Sequence, residues 1–248
     1  MNESKINTYS YTVMPQDLDG KRHFRAVSLE MMLLNIAGKA ANERNFGAFK
    51  LIDSGGISWV LLKFAVEMSS MPVEDEILSV STWVGKVGSL LTTRNFEIRN
   101  QSGVVIGYAA SEWALINLET RRPINIAADN EIAECATGVT VPVTLPGRLT
   151  VPEPDQNTPR HTVKVSYSDI DFNGHTNSTQ YLQWMLDAYP IEKIYESRIA
   201  RLEIIYVHEV LYGETVDVYH MDQNDGSTLF VVKDQKGNDC VRARILWK

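Results

Sequence analysis

The run Ser168-Asp169-Ile170-Asp171-Phe172-Asn173-Gly174-His175-Thr176-Asn177 gathers two carboxylates, two amides and one imidazole just ahead of a helix-like segment. These side chains suit acyl-transfer chemistry. An aspartate can act as a general base or polarise a histidine, and a histidine can donate or accept a proton. An asparagine can orient a carbonyl or a water. A helix N-terminus offers unpaired N–H groups and a partial positive charge, which could hold a developing oxyanion. The same residues also fit a capped loop in which Asp and Asn close turns and His175 is a buried structural imidazole.

The unit that must position this loop occurs twice. Asp17-Leu18-Asp19 is followed by His23 with the spacing of Asp169-Ile170-Asp171 and His175. Each run leads into a helical pattern. In the first copy Leu29, Met32, Leu33, Ile36 and Ala40 share one face; in the second, Leu182, Met185, Leu186 and Tyr189 do. Ser28 and Asn177 suit the N-cap positions, and Gln180 the reach-back position of a capping box. A matching hairpin closes each half, pairing Phe96 with Phe230, Gly103 with Gly237, Ala109 with Ala243 and Trp113 with Trp247. The smaller offset of these later pairs means that copy one carries extra residues, expected in the AFKLIDSGGISW region.

Each copy reads as a loop, one long helix and several strands. Short turns at Gln101–Gly103 and Gln235–Gly237 argue for antiparallel hairpins. The fold class is therefore α+β, a helix wrapped by a curved antiparallel sheet, in tandem. Five of the nine prolines fall between Pro142 and Pro159, a density that opposes helix and central strand alike. This divides the chain into 1–127, an extended surface linker over 128–159, and 160–248. A short helix is expected over 129–136. Strand alternation through YVHEV would put His208 and Glu209 on opposite faces, so that at most one points into the site, unless a bulge intervenes.

Composition narrows the function classes. The chain is 44% hydrophobic and 22% charged, ordinary for a globular protein. No apolar run reaches the length of a membrane helix, and MNESKINTYSYTV lacks the pattern of a secretory signal; a cytoplasmic location without membrane contact is expected. The net charge of −7 disfavours nucleic acid as a partner. Arg121 with Arg122, or Arg198 with Arg201, could form a local basic patch. Cys135 and Cys240 are too few for a disulfide framework, no Cys/His cluster has metal-ligand spacing, and no cofactor is expected.

SDIDFNGHTNSTQYLQW closely resembles the catalytic loop and helix of the acyl-(acyl carrier protein) thioesterases of plant plastids and bacteria. WVLLKFAVEMSSMPVEDEILSVSTWV and SEWALINLETRRPINI resemble the first half of those enzymes, and the similarity covers roughly 5–126 and 160–247. The resemblance implies tandem hotdog domains, the first holding the acyl chain and the second catalytic. It places the family's motif on Asp171, Asn173 and His175 and a further acid on Glu209. Many plant members carry a cysteine after that acid; here the position is Val210. Water attack on the thioester is then the simpler scheme, with Glu209 or Asp171 as base, directly or through His175. Copy one has Lys21 where copy two has Asn173, so no second full site is expected. Gly38, Ala40 and Ala41 could leave room for a fatty tail near Trp59 and Met68. The implied partner is acyl carrier protein bearing a fatty acyl thioester, with the chain a monomer or a homodimer. An acyl-CoA hydrolase, a hotdog hydratase and a non-catalytic acyl-binding module are the alternatives.

Overall fold

The computed structural model describes residues 5–248. Its first half contains β1 (Asn7–Thr12), α1 (Ala26–Glu43), α2 (Ala48–Gly55), β2 (Ile57–Met68), β3 (Ile77–Val87), β4 (Leu91–Arg99) and β5 (Val105–Asn117), followed by the short α3 (Asn130–Glu134). The second half contains β6 (Arg160–Lys164), α4 (Ser178–Asp187), α5 (Ile191–Glu196), β7 (Ile199–Tyr206), β8 (Thr215–Asp222), β9 (Ser227–Asp234) and β10 (Asp239–Trp247). The strands form one ten-stranded antiparallel sheet in the order β1-β3-β4-β5-β2-β7-β10-β9-β8-β6. Read outward from β2 and β7, the two halves have the same order. This is the tandem hotdog arrangement.

The halves join through backbone pairing of β2 with β7, in which Ala65 faces Glu203, flanked by Lys63↔Ile205 and Glu67↔Arg201. A local two-fold axis passes through that central pair, so Met68 in one half corresponds to Tyr206 in the other. Helix α1 packs against α4 over the sheet. The apolar face predicted for α1 is the buried one: Leu29, Met32, Leu33, Ile36 and Ala40 are all in the core. Phe96 and Phe230 and Ala109 and Ala243, matched in the sequence, are each 0% exposed.

The hairpin glycines Gly103 and Gly237 both have positive φ, 79° and 85°, the conformation these tight turns need. Asn177 caps α4 by accepting from the Thr179 N–H. Ser28 does not cap α1: the helix starts earlier, at Ala26 after Arg25, and Ser28 lies buried in its first turn. The extra residues of copy one are also more dispersed than the sequence suggested. Helix α1 has 18 residues against 10 in α4, and β2 has 12 against 8 in β7.

The linker lacks helix and strand between 138 and 159 and is tied down along the sheet. The Val139 carbonyl accepts from Trp83 and Asn95, the Thr144 carbonyl accepts from Arg201, and Glu153 meets Lys233. Asp129 caps the expected short helix, now α3.

Candidate active site

The polar loop has the same backbone in both halves. Asp171 N–H donates to the His175 carbonyl and Asn177 N–H to the Asp169 carbonyl; Asp19 and Arg25 make the equivalent bonds to His23 and Asp17. The residue before the histidine has positive φ in each copy, Gly174 at 80° and Arg22 at 63°. Within the loop, Asp171 Oδ1 accepts from the backbone N–H groups of Asn173 at 2.8 Å and His175 at 3.2 Å. Asp19 does the same for Lys21 and His23. A carboxylate in this position first of all closes the turn.

The loop is then fastened to the segment after β7. Thr176 donates both its N–H and its hydroxyl to the Val210 carbonyl, and His175 bridges to Leu211. That fastening delivers Glu209 to the histidine: its Oε2 lies 3.4 Å from His175 Nε2. Arg121, from the turn after β5 in the first half, pairs with the same oxygen. The expectation that His208 and Glu209 lie on opposite strand faces fails because β7 ends at Tyr206. Both residues then follow irregular backbone and line one cavity.

That cavity has a volume of about 700 Å³. Asp171, Asn173, His175 and Glu209 stand on its wall, and it continues into the first half between α1 and the sheet, past Met31, Leu34, Gly38, Leu61 and Trp59. Phe49 of α2 and Phe172 of the loop touch with ring centroids 4.8 Å apart and join the two halves at its wall. Gly38 and Ala41 line the cavity as expected, whereas Ala40 is buried in the core and Met68 lines a separate, smaller pocket. The first-turn amides of α4 are partly engaged: Thr179 N–H is taken by the Asn177 side chain and Gln180 N–H by the Asn177 carbonyl. Asn173 and Ser178 also line the cavity.

The smaller pocket, about 250 Å³, is the two-fold counterpart of the site. Its His23 Nδ1 meets Asp19 at 3.2 Å, but its Nε2 meets the guanidinium of Arg198 rather than a carboxylate. By register, Met71 occupies the place of Glu209. The pocket therefore carries a cation where the larger cavity carries an acid. Three of the four arginines considered for a basic patch are engaged: Arg121 with Glu209, Arg198 with His23, and Arg201 with Glu67 and Glu203; Arg122 is exposed.

Neither cysteine approaches the histidine by hydrogen bond. Cys240 is 1% exposed, and burial pushes its thiol up to about 12, so it is not a thiolate at neutral pH. Cys135 is buried beside α3 and donates to the Glu131 carbonyl. A third group, not singled out in the sequence, lies beside the site. Glu30 of α1 is 0% exposed, and its Oε1 accepts from the Tyr206 hydroxyl at 2.6 Å. The one sequence signal was an acid within the apolar run of α1. Among the described residues no cluster of His, Cys, Asp and Glu could hold a metal ion, and no helix is long and apolar enough to cross a membrane.

The acyl-ACP thioesterase N-terminal domain matches residues 4–134, and the acyl-ACP thioesterase C-terminal domain matches residues 152–248. The crystal structure of an acyl-ACP thioesterase from Bacteroides thetaiotaomicron aligns over 100% of both chains, with a TM-score of 0.90 and 34% identity. The 12:0-ACP thioesterase from Umbellularia californica has the same fold, with a TM-score of 0.85 over 98% of this chain and 97% of that one at 19% identity. Among curated relatives, the oleoyl-acyl carrier protein thioesterase of Coriandrum sativum is 24% identical, covering 68% of this chain and 48% of its own. An acyl-[acyl-carrier-protein] hydrolase of Cuphea viscosissima is 20% identical, covering 100% and 63%. The chain thus spans about half to two thirds of the length of these curated relatives. With both family domains matched in order on a tandem hotdog, the chain belongs to the acyl-ACP thioesterase family.

Proposed function

We propose that this protein hydrolyses fatty acyl thioesters of acyl carrier protein, releasing the free fatty acid and thereby terminating fatty acid synthesis. The observation that carries the reading is the single cavity that joins a carboxylate–imidazole pair to a largely apolar channel in the other half. The channel suits an acyl tail, and its size lies in the range of small-molecule sites. In this reading 1–127 holds the chain and 160–248 does the chemistry. Glu209 and His175 together take a proton from water as its oxygen attacks the thioester carbon. Asn173, with the first turn of α4, steadies the carbonyl oxygen as it gains charge. The carbon–sulfur bond then breaks, and the carrier's thiol leaves with the proton. Asp171 holds the loop in register through its two backbone bonds.

The carrier assignment is supported by family membership and by the names of the relatives, since the cavity walls would accept an acyl chain from either donor. Turnover of acyl-carrier-protein and acyl-CoA substrates of equal chain length tests it. A higher kcat/KM on the carrier-protein substrate is expected. A large preference for acyl-CoA overturns the assignment, and hydration of an enoyl thioester without cleavage overturns the reaction type.

A further inference from the structure

Glu30 and Tyr206 form a polar contact where a core position would ordinarily be apolar. Glu30 sits in the first turns of α1 at 0% exposure, and only one of its carboxylate oxygens is bonded. Its Oε2 is buried without a partner among the described residues. Leaving a buried carboxylate oxygen unsatisfied is costly. Burial raises its pKa to about 7, opposed by the bond from Tyr206.

The internal two-fold offers a control within the same chain. The loop and helix register makes Leu182 of α4 the counterpart of Glu30, and the strand register makes Met68 the counterpart of Tyr206. Leu182 is 0% exposed and Met68 6%. The fold therefore accepts an apolar pair at this place, and carries the acid–phenol pair only on the side where His175 and Glu209 stand. Packing alone does not account for that choice.

Tyr206 is well placed to act on the site without touching the scissile bond. It is the last residue of β7, from which the segment bearing Glu209 departs, and its ring lines the cavity. It packs edge-on against Tyr181, in the first turn of α4, at 6.2 Å, and Ser178 at the start of that helix lines the same cavity. Holding the Tyr206 hydroxyl from α1 thus fixes both the start of the Glu209 segment and the first turn of α4. We propose that Glu30 and Tyr206 are a positioning pair, by which the acyl-binding half sets the geometry of the hydrolytic groups in the other half. The proposal rests on the thioesterase reading above.

The test installs the other half's residues. The double variant Glu30→Leu/Tyr206→Met should fold with a Tm no lower than wild type, because a buried polar pair is replaced by apolar side chains. Its kcat on an acyl-carrier-protein substrate should fall about ten- to a hundred-fold, as expected for misplaced groups, with KM within about three-fold of wild type. Glu30→Gln keeps an acceptor for Tyr206 and should recover kcat to within about three-fold. Should the double variant fold poorly, Tyr206→Phe keeps the ring, removes only the hydroxyl, and should show the same loss in kcat. Wild-type kcat in a folded double variant or in Tyr206→Phe overturns the proposal. So does a Glu30→Gln variant as slow as the double variant. Wild type and His175→Ala are assayed alongside: no hydrolysis by wild type sinks the thioesterase reading itself, whereas full activity in the pair's variants sinks only the positioning role.

Discussion

The Nε2 atom of His175 lies 3.4 Å from Oε2 of Glu209, and that same oxygen is held from the other half of the chain by Arg121. The imidazole and carboxylate come from different segments, fastened by the bonds of Thr176 to the Val210 carbonyl. Glu209→Gln and His175→Ala should each lower kcat by about 10²–10⁴-fold, the usual scale for a lost general acid–base group. The two losses should not add, because the pair acts as a unit. Arg121 is partly exposed, so Arg121→Ala should change stability by less than about 1 kcal/mol and slow turnover less than either substitution. Steady-state kinetics on the three variants and the Glu209/His175 double variant check the order. Additive losses would mean that the two groups serve separate steps.

Asp171 separates the two acids by what each needs. Its Oδ1 accepts two backbone N–H groups, so the oxygen matters even without the negative charge. Asp171→Asn keeps an acceptor there and should retain most of the activity, whereas Asp171→Ala loses both bonds and should lose much more. An Asp171→Asn variant as inactive as Glu209→Gln would make Asp171 a charge-dependent participant in the chemistry.

The tandem plan was legible because both periodicities repeat: an apolar helix face after each Asp–His loop, then a Gly-turn hairpin. The repeat drew attention to Asp171 and His175 through Asp19 and His23, whereas the family resemblance made Asp171, Asn173 and His175 a site and added Glu209; the structure gathers the four on one cavity. What sequence could not give depends on contacts between the halves. Arg121 reads as a surface charge until the turn after β5 is set against Glu209. Glu30 reads as a solvated residue of α1 until the sheet places Tyr206 over it. The strand alternation expected at His208 and Glu209 failed because pairing ends at Tyr206, and a periodicity argument cannot see where a strand stops. Ser28 failed as a cap because α1 extends back to Ala26, next to the loop whose fixed geometry starts the helix.

Gly38 offers a direct probe of the apolar channel. It lines the cavity from the middle of α1, and a Cβ added there would meet nothing within 4 Å. Gly38→Leu should therefore fill channel volume, starting from a Cβ that meets no neighbour. Helix propensity should add roughly 0.5–1 kcal/mol of stability, since glycine is unfavourable inside a helix. Product analysis over a panel of chain lengths should shift towards shorter acids, with kcat on short substrates retained. An unchanged chain-length profile would place the acyl tail elsewhere.

The buried carboxyl of Glu30 ties stability to pH in a direction opposite to that of a salt-bridged acid. Its pKa is raised from 4.5 to about 7 in the folded protein, so the native state keeps a proton that the unfolded chain has already released. Between those values the unfolded state binds fewer protons, and stability falls as pH rises. The loss is complete above the folded pKa and amounts to about 3 kcal/mol. The groups facing Glu30 do not reverse the sign: the Tyr206 phenol is itself pushed well above 10 by burial and by Glu30, and stays neutral throughout. Glu30→Gln removes the titration. Denaturant unfolding of wild type and variant should therefore give a difference that grows in the variant's favour from pH 4.5 to pH 7.5 by about 3 kcal/mol. Comparing the two proteins at each pH cancels the other carboxylates that titrate in this range. A difference that does not change with pH would mean that Glu30 ionises as readily in the folded protein as in the unfolded chain.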